Sequence, residues 1–394
     1  MTTKNLELPV SERIPTELLL RHSTPALDWQ LATPNPVLRV GGMSPYRPTR
    51  REFLVGAGSL LILAPFGCSG GSGEGGGDAA SGARTVEHKY GSTEVSGNPE
   101  RVVSVGYNDQ DTLLAFGVAP VGVREWFGEY PSATWPWAQD ELGDADPEIV
   151  ADAESINFEA VANAAPDLIV GVSSGMTRED YDTLSEIAPT LPQTDEYIDF
   201  GVPWQEQVRL TGRALGMEDR AGEIVADIED RFAEARERHP EFEGATGLVA
   251  ARYEGYSVYG PDDVRGRFLA DLGFEIPREV AELVGDDFFS NVSEERLALL
   301  DVDMLTMFVN TREEIEETRN NPLFSRLPVA EEGRTLFYET NSLIAGALSF
   351  SSPLSLPYLL ENYVPQMAAA VDGDPATEAG DGPDARQGPE TTSS

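Results

Sequence analysis

Two glutamates, Glu159 and Glu295, lie 136 residues apart in the same local setting. Asn157-Phe158-Glu159 leads through Val161 and Ala162 to Asp167-Leu168-Ile169, and Ser293-Glu294-Glu295 leads through Leu297 and Ala298 to Asp303-Met304-Leu305. In each copy a cap residue opens a helix, a Glu falls in its first turn, and an Asp precedes a buried strand. Glu is favourable near any helix start, but repetition at matched places gives each half of the chain one presented carboxylate. A second group joins forked donors to rings: Arg124 with Trp126, and Arg252 with Tyr253. Guanidinium forks suit carboxylate and chelate oxygens, and aromatic faces supply contact area. This is the chemistry of recognition. Covalent catalysis lacks its parts, because the chain has one cysteine, Cys68, and three histidines, His22, His88 and His239, all outside the expected cores. Cys–His and Ser–His arrangements and a His-rich zinc or manganese site are therefore set aside, and the chain is not read as an enzyme.

The elements that must position these groups alternate between strand and helix. Strands are expected at Arg101–Gly106, Pro120–Arg124, Leu168–Val172, near Thr190, at Gly247–Ala251, Met304–Val309 and Thr335–Tyr338. Helices are expected at Gln110–Phe116, Asn157–Ala164, Tyr181–Ile187, Trp204–Leu215, Val264–Leu272 and Glu294–Leu300. This alternation argues for an α/β fold of two lobes, each with a mainly parallel sheet flanked by helices. Between them, Asp219–Arg238 carries an apolar stripe of Ala221, Ile224, Val225, Ile228, Phe232 and Ala235 at helical spacing. Gly216 breaks the chain before it, Asp219 is the expected N-cap, and Pro240 stops it. Twenty residues make a helix of roughly 30 Å, read as one long rigid interlobe helix, a strut rather than a hinge. Ligands of parallel sheets bind beyond the C-terminal strand ends. The candidate contacts there are Tyr107, Asn108, Arg124, Trp126, Ser173 and Ser174 in the first lobe. In the second they are Arg252, Tyr253, Tyr256, Tyr259, Asn310, Tyr338 and Asn341. The pairs Arg124–Trp126 and Arg252–Tyr253 are expected to face each other across the cleft, with Trp135 and Trp137 as loop packing.

The net charge is −40, and only Lys4 and Lys89 represent lysine among 394 residues. So acidic a surface excludes nucleic acid and anionic lipid as partners of the folded body. Near the start, Arg50-Arg51-Glu52-Phe53-Leu54 precedes an apolar run to Phe66 and then Gly67-Cys68. Too short to span a bilayer, the run reads as an export signal of twin-arginine type, with Cys68 as the lipidated residue. The expected organisation is an untranslated or non-native extension over 1–42, with translation starting at Met43, and the signal over 43–68. A Gly/Ser linker follows over 69–84, the first lobe over 85–217, the interlobe helix over 218–239, the second lobe over 240–367 and a disordered tail over 368–394.

An ordered set of segments resembles one known family. It comprises Asn98-Pro99-Glu100-Arg101-Val102-Val103-Ser104, Asp111 through Val118, Pro120-Val121-Gly122-Val123, Asn157-Phe158-Glu159 through Ile169, Phe268 through Phe274, Ser293-Glu294-Glu295 through Asp303, and Asn321-Pro322-Leu323-Phe324. It is similar to the iron–siderophore substrate-binding lipoproteins of ABC importers, which share their frame with cobalamin- and haem-binding relatives. The resemblance implies ligand capture between two helix-linked lobes, and one glutamate per lobe docking on permease arginines, here Glu159 and Glu295. It implies a ferric siderophore as ligand, with iron arriving inside it and no cofactor of the protein's own. The implied partners are the ABC permease and a membrane reached by the lipid anchor alone, with a monomeric body outside the cytoplasmic membrane. Cobalamin, haem held by tyrosine, and a tethered sensor without its own importer are the alternatives.

Overall fold

The structure, a computed structural model, describes residues 82–252 and 255–372. Arg50, Arg51 and Cys68 of the expected export signal, the stretch 1–42, most of the linker, Tyr253 and the tail from 373 onward lie outside the described residues.

The first lobe opens with an antiparallel hairpin, β1 (Arg84–His88) and β2 (Gly91–Val95). The strands β3 (Val102–Ser104), β4 (Gly122–Arg124), β5 (Glu148–Ala151), β6 (Leu168–Gly171) and β7 (Thr190–Pro192) then form a wholly parallel sheet in the order β5-β4-β3-β6-β7. Its helices are α1 (Asp109–Ala115), α2 (Gln139–Leu142), α3 (Phe158–Asn163), α4 (Arg178–Ser185) and α5 (Trp204–Leu215). The strut is α6 (Glu218–Arg238). Beyond it, β8 (Gly247–Arg252), β9 (Tyr256–Tyr259), β10 (Phe289–Val292), β11 (Met304–Val309) and β12 (Thr335–Glu339) pair in the order β10-β9-β8-β11-β12. Here β9 runs antiparallel to both neighbours, which makes the second sheet mixed. Helices α7 (Val264–Asp271), α8 (Arg278–Val284), α9 (Arg312–Asn320), α10 (Pro328–Glu331), α11 (Leu343–Phe350), α12 (Ser355–Asn362) and α13 (Val364–Val371) complete the lobe. The last of these occupies residues expected to begin the tail.

The six stripe residues of α6 are its buried residues. Gly216, at φ 70°, closes α5 in the left-handed conformation that glycine adopts without strain. Pro240 opens a 3₁₀ turn after the strut. The expected N-cap was misplaced by two residues. Met217 is the cap, and Asp219 already lies in the first turn beside Glu218, where its charge favours the helix dipole without a capping bond. The stripe does more than cover a sheet. Phe232 meets Phe268 of α7 with ring centroids 5.7 Å apart, and one hydrophobic cluster runs from Val102 and Leu168 through the strut to Met304 and Tyr338. The lobes thus share a core through α6.

The internal repeat has a structural cause. Asp167 accepts hydrogen bonds from the backbone N–H groups of Glu100 and Arg101, at 2.8 and 2.9 Å, just ahead of β3. Asp303 accepts from the Thr246 N–H at 2.8 Å and from its hydroxyl at 2.7 Å, just ahead of β8. Each aspartate therefore staples the start of its own strand to the start of a neighbouring strand of the same sheet. These backbone and hydroxyl donors hold the Asp303 carboxyl below the usual carboxylate range. The copies differ in their helices: Asn157 caps α3 by accepting from the Ala160 N–H at 3.0 Å, whereas Glu294–Leu300 is a 3₁₀ helix without a side-chain cap.

Candidate ligand-binding site

The lobes meet through a seam of aromatic rings. Tyr107, just beyond β3, packs edge-on against Trp126 at 5.1 Å and Phe200 at 5.5 Å. Trp126 stacks on Phe350 of the second lobe, centroids 5.7 Å apart, and Phe200 meets Phe288 of the second lobe at 5.8 Å. Trp135 and Trp137 stack on each other at 4.9 Å and both pack against Phe350. Phe350 ends α11, and the next residue, Ser351, takes a left-handed turn at φ 42°. That turn leaves the Phe350 carbonyl accepting from Asn108 Nδ2 at 2.6 Å, while Ser352 Oγ donates to Asp111 Oδ2 at 2.6 Å.

Helix α1 carries an unusual load across this seam, since Asp109, Gln110, Asp111 and Thr112 are all buried. Burial raises the Asp111 carboxyl from 3.8 to about 6, opposed by the Ser352 hydroxyl and by Trp137 Nε1–H, which donates from 2.8 Å. Burial likewise raises Asp109 from 3.8 to about 7, opposed by the backbone N–H of Ser173. Trp126 Nε1 is buried with no hydrogen-bond partner among the described residues.

The sequence-derived contacts separate into two groups. Tyr107, Asn108 and Trp126 stand at the seam. Tyr107 is held by its hydroxyl, which donates to the Ala153 carbonyl at 2.7 Å. Arg124 lies beneath them rather than on the surface of a cleft. It is 3 % exposed, its Nε donates to the Val105 carbonyl at 2.7 Å, and its other arm reaches the Asp152 carbonyl. Its guanidinium carbon lies 4.5 Å from the centre of the Tyr107 ring, so it braces that ring. Ser173 and Ser174 are also buried, and the Ser174 hydroxyl donates to the Gly171 carbonyl at 2.7 Å.

In the second lobe the reversal of β9 changes which end meets its partner. Arg252 pairs with Tyr256 at one end of the β8–β9 hairpin, whereas Tyr259 at the other end leads to Gly260, bonded to the Phe288 carbonyl at 2.9 Å beside the seam. Arg252 and Tyr256 therefore lie a strand length, ~10 Å, from the Tyr259 end of the hairpin, and among the described residues neither shares a hydrogen bond or ring contact with Arg124 or Trp126. They line a separate hollow of about 390 Å³ with Gly255, Val292, Ser293, Glu294 and Asn321. There Arg252 donates to Glu317 at 3.0 Å and to the Glu314 carbonyl at 3.1 Å. Tyr259 is buried beneath Arg265, 3.7 Å from its ring centre. Tyr338 is a core residue whose hydroxyl donates to Gln366 at 2.8 Å. Asn310 and Asn341 are exposed at the far ends of β11 and β12.

Sequence reasoning missed Phe127, Phe200, Phe288 and Phe350, and treated Trp135 and Trp137 as packing apart from the site. The available signal was Phe350-Ser351-Ser352, an aromatic closing an apolar helix before two hydroxyls. His88, expected outside the cores, is buried in the small hairpin, with Nε2 2.9 Å from the Thr93 hydroxyl, and burial lowers its pKa. Glu159 and Glu295 are both exposed and make no ion pair among the described residues. No group of three or more potential metal ligands occurs among the described residues, nor a helix long and apolar enough to cross a membrane.

Residues 102–340, more than half the chain, match the periplasmic binding protein family. The chain belongs to that family. It is thus a binding protein of the importer type rather than an enzyme, with the family's bilobed α/β fold. It is 30% identical over 248 residues to the "Probable siderophore-binding lipoprotein YfiY" of Bacillus subtilis, covering 61% of this chain and 73% of that protein. Among solved structures, a periplasmic solute binding protein from Mycobacterium smegmatis superposes with a TM-score of 0.66 at 32% identity, covering 74% of this chain and 99% of the other. Streptococcus pneumoniae PiaA in complex with ferrichrome gives the same TM-score and coverages at 26% identity.

Proposed function

We propose that this binding protein captures a ferric siderophore between its lobes and delivers it to an ABC-type importer from outside the cytoplasmic membrane. The aromatic seam carries the reading. Rings from both lobes meet around Trp126 and Phe350, and the free Trp126 Nε1–H is a donor suited to a chelate oxygen. Entry of a ligand parts Trp126 from Phe350 and Phe200 from Phe288, and its own faces replace those contacts. The naming of YfiY and the ferrichrome complex of PiaA support the same class of ligand. Iron arrives within the ligand, so the protein needs no metal ligands of its own. Haem held by tyrosine is less well served, because the Tyr107 hydroxyl is already spent on Ala153.

Glu159 and Glu295 are the docking charges in this reading, one exposed carboxylate per lobe, available to pair with permease arginines. Cys68 supplies the lipid anchor, the twin-arginine segment the export route, and the soluble body works as a monomer. Calorimetric titration with ferric siderophores tests the core of the proposal. Trp126→Ala removes a ring and the free donor and is expected to weaken binding at least tenfold. Saturable binding of haem or cobalamin, with no response to any ferric chelate, would overturn it.

A further inference from the structure

The charges around the seam narrow the ligand. Glu125 and Glu129 flank Trp126 and Phe127 in the chain, Asp199 precedes Phe200, Asp286 and Asp287 precede Phe288, and Asp262 lies beside Gly201, where a Cβ would come within 3.0 Å of the Asp262 carbonyl. The cations of the same region are already engaged. Lys89 is bonded to Asp199 at 2.7 Å and Arg267 to Asp262 at 2.9 Å. Arg265 is bonded to buried Asp263 at 3.2 Å, while buried Arg124 gives two N–H groups to backbone carbonyls and keeps its charge. The second-lobe segment Ser349–Ser352 brings no charge of either sign. Glu125, Glu129, Asp286 and Asp287 have no ion-pair partner among the described residues, so against the single charge of Arg124 the rim keeps a net negative field.

We infer that this site selects ferric chelates without net charge, the trihydroxamate class, and disfavours polyanionic carboxylate and tris-catecholate chelates. The inference rests on the siderophore reading above and deepens it. The rings and the Trp126 donor bind an uncharged chelate without needing a counter-charge, whereas the guanidinium at the seam, Arg124, is buried beneath Tyr107 and outnumbered by the rim carboxylates. Three ligand charges set against a net of about three negative charges at about 10 Å, screened over a Debye length of about 8 Å, give a handicap of roughly sixfold.

The test is calorimetric titration at 0.15 M salt with ferrichrome, which is uncharged, ferric citrate, and an anionic ferric tris-catecholate. Ferrichrome is expected to bind at least about fivefold more tightly than either anion. That gap should shrink in 1 M salt, and also in the variant Glu125→Gln/Glu129→Gln/Asp286→Asn/Asp287→Asn. An anionic chelate that bound as tightly as ferrichrome would overturn the charge inference and leave the siderophore reading standing. A gap indifferent to both salt and the four substitutions would also overturn it, since the rim carboxylates would not be its source. Failure of every ferric chelate, charged or not, would instead sink the siderophore reading, and this inference with it.

Discussion

Asp111 offers a sharp test of how the lobes are joined. Both of its hydrogen bonds, from Ser352 Oγ and Trp137 Nε1, end on Oδ2, and buried Oδ1 has no partner. Asp111→Asn can place its amide oxygen at the Oδ2 position, keep both bonds and lose only the charge. The folded carboxyl titrates at about 6 against 3.8 ordinarily, so ionised Asp111 costs the native state about 3 kcal/mol, from (6 − 3.8) × 1.36. The sign follows from the upward shift. The contribution is fully favourable below the unfolded value and is lost as pH rises through about 6. Between pH 5 and 8 the expected loss is about 1 kcal/mol from Asp111 and about 3 kcal/mol from Asp109, whose carboxyl is pushed up to about 7. Denaturant unfolding at pH 5, 6, 7 and 8 should therefore show the unmodified protein weakening by about 4 kcal/mol. Asp111→Asn should recover roughly a quarter of that loss, with most of the remainder removed by adding Asp109→Asn. Superimposable pH profiles for Asp111→Asn and the parent would refute the argument, because a buried charge at this junction would then be costing nothing.

Further outcomes follow from other parts of the molecule. Glu159→Ala/Glu295→Ala should leave ligand affinity unchanged and abolish uptake in cells, and transport at the normal rate would remove the docking role. Phe232→Ala empties a site 3 % exposed in the core shared by the lobes and should cost about 3–5 kcal/mol in unfolding experiments. Arg124→Ala leaves the carbonyls of Val105 and Asp152 without their donor. It should lower stability by about 2–4 kcal/mol, and a ligand-affinity loss without a stability loss would show that the side chain serves the ligand directly. Asp303→Ala should loosen the start of β8 and speed amide exchange at Thr246. Because the Asp303 pKa is depressed, its stabilising effect is present at neutral pH and fades as pH falls through the acidic range.

The strut was legible because Ala221 to Ala235 repeat at helical spacing, a pattern that survives whatever packs against it. Met304–Val309 and Trp204–Leu215 were equally plain, one a continuous apolar strand and the other ended by Gly216. What escaped were elements without such a pattern. Helix α11 is apolar on most faces and shows no stripe, and β5 begins with the exposed pair Glu148 and Ile149. The largest error in the site came from direction. Residues can be assigned to a strand without revealing that β9 runs backwards, and that reversal sets Tyr256 beside Arg252 and sends Tyr259 to the opposite end of the hairpin. Burial was the second source. Arg124 looks like a surface fork in a sequence, and only the carbonyls of Val105 and Asp152 closing on it show that it is a buried brace.

The seam also gives the molecule a built-in optical signal. The sequence holds five tryptophans, and the four among the described residues are Trp126, Trp135, Trp137 and Trp204. The first three touch Phe350, and Trp204 lines the cavity of about 260 Å³ that Ser351 and Pro261 close from the second lobe. These indoles all belong to the first lobe and all have second-lobe neighbours at the junction. The emission of these four indoles therefore reports on the junction. Parting the lobes would wet these rings together, and a bound ferric chelate absorbing near their emission would quench them together, so opening and capture can be followed in the unlabelled protein as separate changes in colour and brightness.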